Sequence, residues 1–373
     1  MRVGLDYLPA VCHAPGIGRY GRELVRALVR LPAAPELRLF EVGGGARTMA
    51  HDLGLTDFPV RRCRARIPRR AVLALGTHLG WGADRWLGGV DIFHRMLPDY
   101  PPVSRAAEVL PVVELPAQGS LADDELGRAL RRCAAALVFC QHYARILPDR
   151  YGIAHDRVHQ VPVGCEHWAR TLSHPPAGSI ARDGATIVVL GALREERSPL
   201  AVLRAFENLG HSMRRAQLLY IGRPGSAAGA FEAALSTSRA RDRVTWIREP
   251  VEADMPGLMA RASLLVHLAR EEGSPVTPLE AFAAGVPVVA SRLPAFEEAL
   301  GHRAGYVECS DDIDIGALQL AIKAALEVRL GADGPDEASA TPAAAERVAL
   351  AAGFTWAENA RATVSVWERT RPV

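Results

Sequence analysis

A short apolar run, a glycine turn and an amphipathic helix open this chain, and the same sequence of elements opens again near residue 186. Any fold must accommodate both starts. Residues 3–5, 136–140, 186–190, 218–221, 244–247, 264–268 and 287–290 read as buried strands, with helix-period segments between them. Apolar strands alternating with helices predict βαβ units and parallel sheets covered on both faces. Over residues 19–31, Tyr20, Leu24, Leu28 and Leu31 share one helix face, which leaves Arg22, Arg26 and Arg30 for water. Pro32 and Pro35 then stop that helix. Residues 164–184, rich in Pro, Gly, Ser and Ala, read as a linker, and residues 331–345 as a loop with a weak helix. Helical spacing returns through Trp356, Ala360, Val364 and Trp367.

Length agrees with two starts, since 373 residues at about 150 per domain give two domains. With 49% hydrophobic and 23% charged residues, the chain has apolar material for two cores and is not globally disordered. Its 44 basic side chains nearly balance 42 acidic ones, which argues against a dedicated nucleic-acid binder. Among the basic residues only Lys323 is a lysine, so a phosphate must be met by Arg, backbone N–H groups or helix ends. Six scattered cysteines without a CxxC pair fit a reduced, cytoplasmic setting. The segment MRVGLDYLPA does not read as a signal peptide, and no run reaches 18 apolar residues.

The sharpest local signal is Glu272-Gly-Ser-Pro-Val-Thr-Pro-Leu-Glu280. It predicts a strand end, a loop, and a helix beginning near Thr277-Pro278 with Pro at the first helical position, ending at Gly285. The open N–H groups of such a helix start favour an anion such as a diphosphate. Two flanking carboxylates are acceptors for ribose or sugar hydroxyls. Thr277-x-x-Glu280 reads equally as a capping box, and Glu272 as an exposed strand-end charge.

With seven residues between them and AFAAGVPVVAS following, Glu272 and Glu280 resemble the E-x7-E region of glycosyltransferase family 4, retaining nucleotide-sugar-dependent enzymes of GT-B fold. Pro15-Gly-Ile-Gly-Arg-Tyr20 is similar to that family's first glycine loop, and Val161-Pro-Val-Gly164 to its hinge-proximal motif. Leu190-Gly-Ala-Leu-Arg-Glu-Glu-Arg197 resembles its phosphate-binding turn, and Phe354-Thr-Trp356 the start of its closing helix. The resemblance implies two Rossmann-like domains whose parallel sheets face a central cleft. It assigns residues 1–167 to the acceptor, residues 168–352 to the nucleotide sugar, and residues 353–373 to a helix crossing back to the first domain. Glu280 would hold the ribose, Glu272 would sit by the donor sugar, and Gly273, Ser274, Pro275, Val276 and Thr277 would contact sugar hydroxyls or the diphosphate. Arg197, standing where the family usually has Lys, would neutralise the diphosphate with help from Arg194. Gly16 and Gly18 would let backbone approach donor phosphates or acceptor. No metal and no cofactor beyond the donor is implied.

Three positions depart from the family pattern. Ala192 replaces an Arg after the second glycine turn. In Leu110-Pro-Val-Val-Glu-Leu-Pro116, Val113 and Glu114 replace a His-Asp pair, with Glu114 left to make a substrate contact. Pro250, in the loop expected to meet the base, has no N–H. The expected function is therefore hexose transfer from a nucleoside-diphosphate sugar to a polysaccharide, lipid-linked glycan or metabolite hydroxyl. The alternatives are a catalytically degenerate glycan-binding or partner subunit, and another GT-B activity such as epimerisation or phosphorolysis. Six arginines within residues 61–70, ahead of Trp81 and Trp86, suggest a peripheral contact with the inner membrane face or an anionic acceptor, and equally a solvated basic segment. His13 and His94 are candidates to replace the absent histidine, while His142 and His267 fall near strand-end loops. His155 and His159 have helical metal-ligand spacing without a supporting cluster.

Overall fold

The computed structural model describes residues 1–12, 16–43, 55, 58–168, 184–309, 313–330 and 342–371. The chain divides into two units, residues 1–164 with 356–373 and residues 165–355. Most of the linker reading (169–183), His13 and residues 331–341 lie outside the described residues.

Unit 1 is built on seven strands: β1 Arg2–Asp6, β2 Glu36–Val42, β3 Arg61–Ala65, β4 Ile92–His94, β5 Ala107–Val112, β6 Ala135–Val138 and β7 Val158–Gln160. They pair in the order β3-β2-β1-β4-β5-β6-β7, all parallel, with Leu5 opposite Leu39 on one side and His94 on the other. Parallel strands require crossovers, and helices such as Ile17–Leu28 and Leu121–Arg132 supply them. Unit 2 has six strands, β8 Thr186–Leu190, β9 Gln217–Ile221, β10 Val244–Ile247, β11 Leu264–His267, β12 Val288–Ser291 and β13 Gly305–Val307, in the parallel order β10-β9-β8-β11-β12-β13. Each sheet reverses its winding once, at β1/β4 and at β8/β11, and the carboxyl ends of strands at such a point form a crevice no crossover fills.

In unit 1 the helix Ile17–Leu28 begins two residues before, and ends three before, the span its periodicity predicts. Tyr20, Leu24 and Leu28 are buried as their spacing requires. Arg22 is not solvated: it is buried, and its guanidinium donates to the Ala10 carbonyl at 2.9 Å. The closing helix Trp356–Thr370 belongs to this unit and packs on Ile17–Leu28. There Trp367 Nε1 donates to His94 Nδ1 at 3.3 Å, while Tyr20 Oη lies 3.3 Å from His94 Nε2. Burial pushes the His94 imidazole down to about 3, so it stays neutral and pins helix to sheet. His94 is thus a core residue rather than a stand-in for a reactive histidine.

The basic run is also reassigned. Its first half is β3, where Arg62 and Arg64 donate through Nε to the buried Glu41 carboxylate on β2, and Arg69 pairs with Asp99 at 2.6 Å. Much of this charge therefore compensates neighbouring carboxylates. His155 lies in a 3-10 turn and His159 on β7, so they share no helix face. No helix among the described residues is long and apolar enough to cross a membrane.

Asp6 ends β1 fully buried, and burial pushes its carboxyl up to about 7 despite the Leu8 amide and the Arg95 guanidinium. A carboxyl with a folded value above its unfolded value of about 3.9 favours folding most at low pH, and that contribution is lost as pH rises through 7. Asp6→Asn, which cannot ionise, is expected to gain about 4 kcal/mol over the parent at pH 8, roughly 10 °C in Tm, less than half of that at pH 5, and nothing at pH 3. Thermal unfolding of both proteins across this range checks it; parallel curves at every pH would refute it.

Candidate functional site

Three pieces of chain converge at the carboxyl ends of β8 and β11. After β8, Gly191 turns the chain into the 3-10 segment Glu195–Arg197, and the helix Pro199–Asn208 follows with Pro at its first position. Ser198, between them, holds φ +48, a left-handed conformation uncommon for a residue with a side chain. β11 is apolar until its last residue, His267. The loop after it is anchored by the Ala269 amide donating to Ser291 Oγ at 2.8 Å and the Arg270 amide donating to the Glu196 carbonyl at 3.0 Å.

This framework brings Arg197 Nη1 within 2.6 Å of Glu272 Oε2 and 2.9 Å of His267 Nε2, with His267 Nε2 3.0 Å from the same carboxylate oxygen. Burial would raise the Glu272 carboxyl, but the Arg197 guanidinium above all holds it down at about 2, so it is ionised at any physiological pH. Beside the cluster, Gly191, Ala192, Arg197, Tyr220, His267 and Leu268 line a small recess. The small Ala192 methyl leaves this wall uncharged.

From Glu272 the chain runs through Gly273, Ser274 and Pro275 into the helix Val276–Ala283. Pro275, not Thr277, occupies the capping position, and the first intrahelical bond runs from Leu279 N–H to the Pro275 carbonyl at 3.1 Å. Pro278 is therefore the third helical residue, and the amides of Val276 and Thr277 stand at the open end. The capping-box reading of Glu280 falls with this: Glu280 lies one turn in, fully buried, with Oε1 2.9 Å from His167 Nε2. Gly285 follows the helix with φ +71.

The candidate residues fall into two sets. Arg197, Glu272 and the run 273–280 belong to unit 2. Arg194 belongs there too, capping the 3-10 turn with its amide bonded to the Ala192 carbonyl at 2.8 Å, outside the Arg197–His267–Glu272 triangle. Gly16, Gly18 and Glu114 belong to unit 1. Gly16 precedes the helix Ile17–Leu28 at φ +67, where a Cβ would meet nothing within 4 Å, so backbone conformation rather than crowding calls for glycine. Gly18 is buried in the first turn of that helix, and Glu114 follows β5 in a half-buried loop. Pro250 lies in the loop after β10, where Arg248 stacks on Trp246 and pairs with Glu232 at 2.5 Å.

Two histidines acquire partners that local sequence does not announce. His267 has one signal, a polar residue ending an otherwise apolar strand. His167 has none, since its partner Glu280 lies over a hundred residues away.

Residues 184–327 match the family model described as Glycosyl transferases group 1. The O-antigen chain mannosyltransferase RfbU of Salmonella typhimurium is 35% identical to this chain over 72 residues, 19% of this chain and 20% of that one, so the shared segment is about a fifth of either protein. Solved structures similar over the whole chain include Anabaena Alr3699/HepE in complex with UDP and glucose (TM-score 0.69, 14% identity, 99% of each chain). Another is a glycosyltransferase from Rickettsia africae (TM-score 0.68, 13% identity, 99% of this chain and 98% of that one). At these identities the likeness concerns the fold, which is GT-B: two parallel α/β sheets, one in each unit.

Proposed function

We propose that the protein transfers a hexose from a nucleoside-diphosphate sugar to a hydroxyl acceptor with retention of anomeric configuration, needing neither metal nor cofactor. The observation that carries this reading is the convergence of Arg197 and Glu272 at the β8/β11 crevice, beside the open start of the helix Val276–Ala283. A guanidinium and preset backbone dipoles stabilise charge as it develops on a departing diphosphate, without reorganising during the reaction. Ionised Glu272 accepts hydrogen bonds from donor-sugar hydroxyls, and Glu280 serves the ribose, oriented by His167. Nearby Arg194 adds positive charge. Contacts to the acceptor fall to unit 1, through the Gly16–Gly18 turn and Glu114.

The segment similar to an O-antigen mannosyltransferase, and the UDP and glucose held by the HepE structure, support a nucleotide-sugar donor and a glycan acceptor, whether polysaccharide, lipid-linked or a metabolite. On this reading the protein works in the cytoplasm and meets the membrane peripherally through the basic run 61–70, a reading supported by the exposed Leu79 and Trp81 that follow it.

The test has two stages. Thermal-shift measurements with UDP, GDP, ADP and their hexose conjugates are expected to show one base raising Tm by several degrees, since saturating ligand at about 100 Kd adds about 2.7 kcal/mol. The preferred donor is then incubated with lipid-linked and free glycans, and the anomer of the product is read by NMR. Nucleotide binding without a glycosylated product across acceptors would instead favour a non-catalytic partner subunit.

A further inference from the structure

The triangle of Arg197, His267 and Glu272 contains a conflict. A guanidinium nitrogen only donates, so Arg197 Nη1 at 2.9 Å asks His267 Nε2 to be a bare acceptor. A carboxylate oxygen only accepts, so Glu272 Oε2 at 3.0 Å asks the same nitrogen to carry a proton. One nitrogen cannot do both. Arg197, at 2.6 Å from Glu272, already supplies that carboxylate with a proton donor and a counter-charge, so the arrangement is satisfied best when Nε2 is unprotonated.

A diphosphate changes which demand prevails. This step rests on the reading that Arg197 meets the donor diphosphate. As Arg197 turns toward phosphate oxygens, the Glu272 carboxylate loses its counter-ion in a largely buried position, where an unpaired charge is costly. The ligand brings further negative charge into the same crevice. His267 is buried, already within 3.0 Å of the carboxylate, and carries the side chain that gains a proton most readily near neutrality. Among the described residues, the charged groups within hydrogen-bond reach of it are Arg197 on the 3-10 turn and Glu272 on the following loop. The Phe296 ring, 5.5 Å away edge to face, Tyr220 across the recess and its strand partner Ala290 on β12 bring no charge at neutral pH.

We propose that His267 is a positioning residue that takes up a proton from solvent when a nucleotide-sugar diphosphate draws Arg197 away, and so holds Glu272 by an Nε2–H bond in place of the guanidinium. The carboxylate then stays aimed at the donor sugar while the guanidinium works on the leaving group. The proton is gained on binding and returned on product release.

Titration calorimetry of the full chain tests this with the nucleotide sugar found to bind, because its doubly esterified diphosphate does not titrate near neutrality. Binding enthalpies at pH 7.5 in two buffers of different ionisation enthalpy give the number of protons exchanged. The expected result is an uptake approaching about one proton per site, and an affinity that weakens up to about tenfold per pH unit above neutrality. In His267→Gln, which keeps a polar side chain but cannot be protonated, uptake and pH dependence are expected to vanish while binding persists. Glu272→Gln, which removes the charge that calls for the proton, is expected to bind the donor more weakly but with no proton uptake, and serves if His267→Gln does not fold. Binding with a buffer-independent enthalpy in the parent, or uptake that survives in either variant, overturns the proposal and leaves the donor reading intact. Failure of every nucleotide sugar to bind overturns both.

Discussion

Arg197→Ala is expected to lower kcat/KM for sugar transfer by about a thousandfold. A guanidinium engages a diphosphate through two charge-assisted hydrogen bonds, each worth roughly 1.5–3 kcal/mol, and losing about 4 kcal/mol of transition-state stabilisation corresponds to a factor of about 10³. Arg197→Lys keeps the charge without the fork and is expected to recover part of the loss, to within about a hundredfold of the parent. The same change acts on Glu272. In the parent its carboxyl sits at about 2, below its ordinary value, so its contribution to stability is present above the ordinary range and is lost only as pH falls through 2. Without Arg197 the carboxyl rises toward its ordinary value, that contribution shrinks, and acid unfolding monitored by circular dichroism is expected to shift upward. Initial-rate kinetics alongside those acid titrations separate the two effects. Full activity in Arg197→Ala would remove the guanidinium from the mechanism altogether.

Gly222→Ala is expected to be the most damaging methyl that can be added near the site. Gly222 follows β9, with its N–H bonded to the Ile247 carbonyl at 2.9 Å and its own carbonyl accepting from Trp246 Nε1 at 2.8 Å. A Cβ there would lie 2.0 Å from the Gly191 carbonyl oxygen, 2.4 Å from its carbon and 3.0 Å from the Ala192 nitrogen. All three are backbone atoms and cannot swing aside as a side-chain tip would. The strand ends must part, at about 3–4 kcal/mol or roughly 10 °C in Tm. Because the displaced turn lines the recess beside Arg197, nucleotide affinity is expected to fall in whatever protein folds. Gly229→Ala is the matched control: it lies in the helix Ala228–Thr237 with nothing within 4 Å of its Cβ, and is expected to change stability by less than about 1 kcal/mol. Equal melting temperatures for the two variants would contradict the packing argument.

The elements were largely legible because a buried parallel strand must be apolar on both faces. Residues 186–190, 218–221 and 287–290 declare themselves in this way, and they stand in the structure as β8, β9 and β12 with boundaries within a residue. Legibility failed where a side chain's partner lies far along the chain. Arg22 has the periodicity of a solvated residue, yet the Ala10 carbonyl lies within its reach because the short helix Leu8–Val11 packs on its own helix. Glu280 sits at capping-box spacing, yet the helix starts two residues earlier than a Thr277 cap would require, and the carboxylate turns inward to His167. His94 stands at the end of a strand, as a reactive group would, but the closing helix buries it under Trp367.

By itself, the order of apolar runs, glycine turns and helices determined that this chain builds two parallel sheets, because hydrophobic periodicity is a local property that burial enforces residue by residue. The E-x7-E spacing likewise determined that two carboxylates bracket a helix start. Only the tertiary structure decided their partners: Arg197 and His267 for Glu272, His167 for Glu280. Those pairings depend on where separate strands end in space, and the Coulomb and hydrogen-bond terms that set each group's protonation act over a few ångströms between groups far apart along the chain.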